Sequence, residues 1–318
     1  MIYIGIANFD IYSLFHNDCF VLERLKLNSV GRFLTRKIAN AIIPIWYCVV
    51  KGGDGVIANS RTIPVIISLT SFPSRIERIW IALESLLRQT MKPDRIMLWL
   101  SLDQFPNKEQ DLPESLVSLI ERGLEIEFVE GDIKSHKKYY YVMSKYPDSI
   151  IVTADDDIYY PEDMLENLWK EHEMNREAVI CSYARCLEWN ESSKILESSR
   201  IWKYIKKRDE GYGIFFGTGG GVLFPPIRSS LYKDTLNLDL ALKLCPKEDD
   251  LWLNTMARLQ RTYILASIRY RNLLNVSQEK TITLYSENGG DLCLTDVQIN
   301  DVIDYYKSKD MFPYRYIK

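Results

Sequence analysis

Ile150-Ile151-Val152-Thr153-Ala154-Asp155-Asp156-Asp157 joins an apolar, β-branched run to three consecutive carboxylates. The apolar part suits a strand buried on both faces of a parallel sheet. The charges that follow repel one another and call for water or a cation. In open α/β sheets, ligands sit just beyond the carboxyl ends of the strands. The triplet therefore reads as the floor of a divalent-metal site, and hard oxygen donors favour Mg²⁺ or Mn²⁺ over zinc. Along an extended strand, Asp155 and Asp157 point to one side and Asp156 to the other. One carboxylate can then meet a metal while another meets a sugar or ribose hydroxyl. The competing reading is a solvated acidic turn that caps the next helix. The apolar strand before the triplet and Pro161 after it, at a favoured first-turn position, weigh towards the metal.

Outward from this strand the pattern is regular. Pro64 to Leu69, Arg95 to Leu100 and Glu125 to Val129 read as strands bounded by turn residues. Helical spacing of apolar residues predicts helices over 75–89, 113–122, 134–146 and 161–174. Strands alternating with helices imply βαβ units and a mostly parallel, doubly wound α/β sheet flanked by helices. The second half is less regular. Ala178 to Tyr183 and Val222 to Phe224 read as strands, and Glu248 to Leu259 and Asp296 to Tyr306 as helices. Lys51-Gly52-Gly53-Asp54-Gly55 reads as a connector, which divides the chain into an N-terminal extension (1–60) and a catalytic unit (61–318).

Composition narrows the classes. An apolar content of 47% supports a sizeable core, and a net charge of −3 argues against nucleic acid as the main partner. The six cysteines contain no C-x-x-C pair, which favours reduced thiols and the cytoplasm. No secretory leader is evident at Met1 to Phe9, and the apolar stretch Ile38 to Val50, interrupted by Asn40 and Pro44, is short for a membrane span. Arg32, Arg36 and Lys37 flank that stretch. They suit a peripheral helix on the inner face of the plasma membrane or a helix packed on the main body, and the residues leave both open.

At this point the chain resembles the nucleotide-sugar-dependent glycosyltransferases of the GT-A fold, in particular the bacterial family-2-like enzymes that build surface polysaccharides. The resemblance rests on Ser68-Leu69-Thr70-Ser71-Phe72-Pro73-Ser74-Arg75, Thr153 to Asp157, Gly217-Thr218-Gly219-Gly220-Gly221, and Glu248-Asp249-Asp250-Leu251-Trp252. It implies a GT-A sheet followed by a less regular acceptor-binding half. Thr70, Ser71, Arg75 and Asp103 then lie around the nucleotide, with hydroxyl and guanidinium donors suited to ribose, base or phosphate oxygens. Asp155 and Asp156 face the nucleotide sugar, and Asp157 with Asp155 holds Mn²⁺ or Mg²⁺. Lys137 and Lys138, at a helix start, suit a diphosphate, although such a charge run is as readily a solvated face. His136, nearby, is more readily structural.

Gly219, Gly220 and Gly221 are expected against the acceptor, with Tyr212, Phe215 and Phe216 as stacking faces. No Lys-Ser/Thr follows, so this is not a phosphate loop. Asp249, then Asp250, is expected to remove the acceptor hydroxyl's proton in an inverting, hexosyltransferase-like reaction. The family's late histidine ligand has no counterpart, since no histidine follows His172. The implied partners are a nucleoside-diphosphate sugar and a carbohydrate or lipid-linked glycan of capsule or lipopolysaccharide synthesis. Two alternatives stand beside this reading. A sugar nucleotidyltransferase is expected to carry a glycine- and Lys/Arg-rich turn after the first strand, where this chain has Thr70-Ser71-Phe72-Pro73. A catalytically silent carbohydrate-binding protein needs neither acidic cluster.

Overall fold

A computed structural model describes residues 27–190, 192, 195–267, 272–277 and 293–314. In chain order the first half comprises α1 (Leu27–Val49), β1 (Val65–Thr70), α2 (Ile79–Leu87), β2 (Arg95–Ser101), α3 (Glu114–Val117), β3 (Leu124–Val129), α4 (Lys137–Lys145) and β4 (Ile150–Thr153). A short β5 (Ile158–Tyr159) and α5 (Met164–Met174) follow. The second half contains β6 (Val179–Cys181), β7 (Ala184–Cys186), β8 (Trp189–Asn190), β9 (Ile195–Leu196), β10 (Lys203–Tyr204), β11 (Asp209–Glu210), β12 (Ile214–Phe216) and β13 (Val222–Phe224). It closes with α6 (Ile227–Ser230), α7 (Leu238–Leu244), α8 (Asp249–Gln260), β14 (Ile264–Ala266), β15 (Leu274–Asn275) and α9 (Leu294–Lys307).

The central sheet runs β11-β14-β6-β13-β4-β1-β2-β3. It is the expected mainly parallel α/β sheet, with β13 reversed between β4 and β6, and β11 reversed at the edge. Each strand at its centre alternates between two cores, because successive side chains leave opposite faces. Val65, Ile67 and Leu69 of β1 pack under α2 and α5 with Ile79, Leu83 and Leu165. Ile66 packs on the other face with Tyr139 of α4, Trp252 of α8 and Val302 of α9. Burial on both faces is why these strands read as continuous apolar runs.

Register sets the level of the site. Ser68 pairs with Thr153, and Val222 pairs with Thr153 from the other side. Since β13 runs against β4, its beginning lies at the end of β4, and the glycine segment reaches the edge where the Asp triplet emerges. The start of α4 is pinned to the same edge: Ser68 Oγ donates to the Lys138 carbonyl at 2.6 Å, and Trp99 Nε1 donates to Ser68 Oγ at 3.0 Å.

Several boundaries differ from expectation for local reasons. The segment 113–122 breaks into the single-turn α3 and a 3₁₀ turn, closed by Gly123 at φ 101°. Residues 75–78 form a turn before α2, and α5 begins at Met164, beyond Pro161. Pro44 does not interrupt the N-terminal segment; α1 runs through it from Leu27 to Val49. Proline removes one backbone bond there, while Ala39, Ile43 and Tyr47 on the same helix pack against Ile81, Tyr159 and Leu274. The glycine connector after α1 is itself packed. The Gly55 N–H donates to the Arg122 carbonyl at 2.8 Å, and a Cβ at Gly55 would stand 2.0 Å from Leu87.

Candidate functional site

The three carboxylates of the triplet do not alternate as an extended strand would place them. Strand β4 ends at Thr153, and Asp156 and Asp157 lie in a turn. Asp156 is buried; it accepts from Ser71 Oγ and from Arg75 NH1, each at 2.6 Å. The same guanidinium nitrogen lies 3.1 Å from Asp157, so Asp156 and Asp157 share Arg75. Asp155 turns the other way, to Lys138 Nζ at 2.6 Å. The expected nucleotide residues Ser71 and Arg75 therefore meet the triplet directly. Thr70 instead donates its hydroxyl to the Trp99 carbonyl at 2.8 Å, holding β1 to β2.

Lys138 is the hub of a second network. Its ammonium lies 2.6 Å from Asp155 and 3.1 Å from Asp249, and donates to Thr218 Oγ1 at 3.0 Å. Burial opposes its charge, but the Asp155, Asp249 and Asp250 carboxylates outweigh it and hold the lysine protonated. Thr218 Oγ1 lies 2.7 Å from Asp249 Oδ2 and also contacts Asp250 Oδ1, which accepts the Thr218 backbone N–H at 2.8 Å. A hydroxyl carries one proton and an ionised carboxylate only accepts, so Thr218 can donate to only one of the two.

The two acids of this pair differ accordingly. Burial resists ionisation of Asp249, and Lys138 overcomes it, keeping that carboxyl below the ordinary range. Burial and the Asp249 charge push Asp250 up to about 6. Asp250 protonated can donate to Thr218 Oγ1 while Thr218 donates to Asp249, so every group in the chain is satisfied in that state. Asp249 and Asp250 stand at the first turn of α8, whose start brings both to the edge of the sheet.

The glycine segment is folded over Asp155. Thr153 Oγ1 donates to the Thr218 carbonyl at 2.9 Å, and a Cβ on Gly219 would stand 1.8 Å from Asp155 Oδ2. Tyr160, fully buried, links the same parts: its hydroxyl donates to the Gly219 carbonyl at 2.5 Å and accepts the Asp155 N–H at 2.7 Å. Gly217 and Gly220 lie against Tyr183, and Gly221, at φ 88°, turns the chain into β13.

Tyr183 is thus the aromatic beside the glycines. The aromatic residues expected there are placed elsewhere: Phe216 packs on Phe224 in the core, Phe215 on Trp202, and Tyr212 beside Tyr263.

Two expected diphosphate or nucleotide residues fall outside the network. Lys137 is buried against Asp132. Asp103 is exposed in the turn after β2, where its charge acts on Lys137. His136 lies 2.6 Å from the Cys245 carbonyl and 3.1 Å from the Tyr139 hydroxyl, a structural placement. Sequence reasoning missed Thr218 as a side chain, although it sits inside a motif singled out for its glycines. It also missed Tyr160 and Tyr183, for which neither spacing nor charge gives a signal. A surface hollow lined by Cys186, Lys203, Tyr204 and Lys206 lies on the small β10-β7-β12 sheet and includes no residue of this network.

Asp155 and Asp157 offer hard oxygens of the kind a divalent metal takes, but each already faces a cation, Asp155 the Lys138 ammonium and Asp157 the Arg75 guanidinium. Burial and the Asp156 charge raise Asp157 to about 7 even with Arg75 beside it. Among the described residues no group of three or more His, Cys, Asp or Glu is disposed to hold a metal. A cation held here would need phosphate and water for the rest of its shell. Arg75 Nε is buried without a protein hydrogen-bond partner.

No protein-family model matches the chain, and no curated protein matches it. Solved structures do. Among them is the 4-diphosphocytidyl-2C-methyl-D-erythritol synthase from Anaerococcus prevotii, 12% identical, with a TM-score of 0.42, covering 77% of this chain and 99% of that one. A likeness at that level carries nothing about chemistry.

Proposed function

We propose that the chain is a glycosyltransferase that moves a sugar from a nucleoside-diphosphate donor to a hydroxyl of a carbohydrate or lipid-linked glycan. One observation carries this reading: the continuous line Asp155–Lys138–Asp249–Thr218–Asp250, which joins the triplet at the end of β4 to a second acidic pair on α8. A donor site alone needs the first group. Activating an acceptor needs the second, and here the two share one lysine.

Arg75 would bind and orient the donor's phosphate oxygens at the end of β1, with Asp156, itself held by Ser71, keeping its guanidinium in place. Asp157 and Asp155 would hold Mn²⁺ or Mg²⁺, which when bound supplies charge to offset the diphosphate. Asp250, not Asp249, is the base in this account, because its acid sits near neutrality whereas Asp249 is committed to Lys138. The acceptor O–H proton passes to Asp250 and the acceptor oxygen bonds to the anomeric carbon. The bond from that carbon to the diphosphate oxygen breaks, and the nucleoside diphosphate leaves with the electron pair. Attack opposite the leaving group inverts the configuration. Gly217, Gly219 and Gly220 are buried against Tyr183 and Asp155, so an acceptor sugar would meet the half-buried Tyr183 ring and not the glycine backbone.

A panel of nucleoside-diphosphate sugars assayed for Mn²⁺-dependent hydrolysis tests the reading without knowledge of the acceptor. Release of nucleoside diphosphate from one donor supports it, and the anomeric configuration of a transfer product, read by nuclear magnetic resonance, tests inversion. Pyrophosphate release from a nucleoside triphosphate and a sugar phosphate, without donor hydrolysis, would establish a nucleotidyltransferase instead. Sugar binding with neither reaction would leave a carbohydrate-binding protein.

A further inference from the structure

Helix α1 has two apolar faces, and the fold uses one of them. Ala39, Ile43 and Tyr47 point inward, while Val30, Leu34, Ile38, Ile42, Ile45 and Val49 are between 47% and 75% exposed. At about 100° per residue these six fall in one stripe about 120° wide that runs the length of the helix. Continuous exposed apolar stripes of this kind mark interaction surfaces.

Charge says what covers the stripe. Between Glu23 and Asp54 the chain carries Arg24, Lys26, Arg32, Arg36, Lys37 and Lys51 and no acidic residue, although the whole protein is net negative. Lys37 Nζ lies 5.7 Å from the centre of the exposed Phe33 ring, a cation and an aromatic face side by side at the border of the stripe. A second copy of the chain fits poorly, because two-fold pairing through the stripe would bring two net-positive helices together, each with Lys37 at the border. No described helix is long and apolar enough to cross a membrane.

We infer that α1 is a docking helix that lies in the headgroup layer of an anionic membrane, with its outer stripe among the acyl chains. Apolar burial and attraction to anionic lipid act together in such helices. The helix is fastened to the site. Tyr159, two residues beyond Asp157, donates its hydroxyl to Asn40 Oδ1 at 3.1 Å, and Asn40 Nδ2 donates to the Asn275 carbonyl at 3.0 Å. The inference stands whichever reaction that site performs.

Flotation of the full-length protein with phosphatidylcholine vesicles, with and without phosphatidylglycerol, tests it. The protein is expected to float with the anionic vesicles and to stay behind with the neutral ones or at high salt. Ile38→Glu/Ile42→Glu should abolish flotation without moving the melting temperature, since both side chains are exposed. Lys37→Gln, at the border of the stripe, should weaken it about fivefold. Three results would overturn the inference: no binding to anionic vesicles, undiminished flotation of the double Glu variant, or a dimer that this variant splits while neither form floats.

Discussion

Among single residues, the proposed reaction turns on which carboxylate keeps its proton. Asp250 is raised to about 6 by burial and by Asp249, and a base must be ionised to act. The rate should therefore fall as pH drops below about 6, with the acid limb of a kcat/KM profile reporting that group. Asp250→Asn should cost about 10²- to 10⁴-fold in turnover, whereas donor binding should change little. Thr218→Val removes the hydroxyl between the two acids and should move the acid limb, a change that a merely structural role for Thr218 would not produce. Gly219→Ala tests the cradle. Its Cβ would stand 1.8 Å from Asp155, whose carboxylate could yield only by leaving Lys138. The variant should remain folded by circular dichroism, yet lose donor affinity in calorimetry. This arrangement of side chains was only partly legible in the sequence. The Asp triplet and the Asp249–Asp250 pair stand out as unpaired charge beside apolar runs. The order among them does not, because it depends on Lys138 arriving from α4 and Thr218 from the glycine segment.

Among the elements, α4 does most to tie the two halves together, and His136 at its start shows how. Burial lowers the His136 pKa, while the Asp249 charge and the Cys245 carbonyl act against that shift. The unfolded chain thus binds the imidazole proton more tightly than the folded one. Stability attributable to this group is present above the unfolded value of about 6.5 and is lost as pH falls below it, with a slope of up to about 1.4 kcal/mol per pH unit. Denaturant melts between about pH 5 and 6.5 should show a shallower pH dependence for His136→Gln than for the wild type. Elements of the first half were readable because long apolar runs are punctuated by glycine and proline. Those of the second half were less so. Strands of two or three residues, such as β7, β10 and β12, are too short for periodicity to register, and nothing in Val222-Leu223-Phe224 reveals that β13 runs backwards. That reversal is what delivers the glycine segment to the carboxyl edge. A helix near α1 was readable, but its packing was not, because the inward Ala39, Ile43 and Tyr47 and the outward apolar residues give the same signal in sequence.

For the whole molecule, a mainly parallel sheet gathers its chemistry along one edge. The ends of β1 and β4, the starts of α4 and α8 and the segment before β13 all converge there. The sheet was legible in outline from the alternation of strands and helices. The convergence was not, because it needs the register of strands far apart in sequence. In the proposed function this edge would bind a nucleoside diphosphate through a metal held by Asp157 and Asp155. The most direct measurement is Mn²⁺-dependent hydrolysis of nucleoside-diphosphate sugars by the wild type and by Asp157→Ala, with melting temperatures recorded alongside. Turnover of at least one donor, reduced about a hundredfold or more in a variant that melts like the wild type, is the predicted result. Equal turnover by the two proteins, or none from any donor alongside synthesis of a nucleotide sugar from a triphosphate, would contradict it.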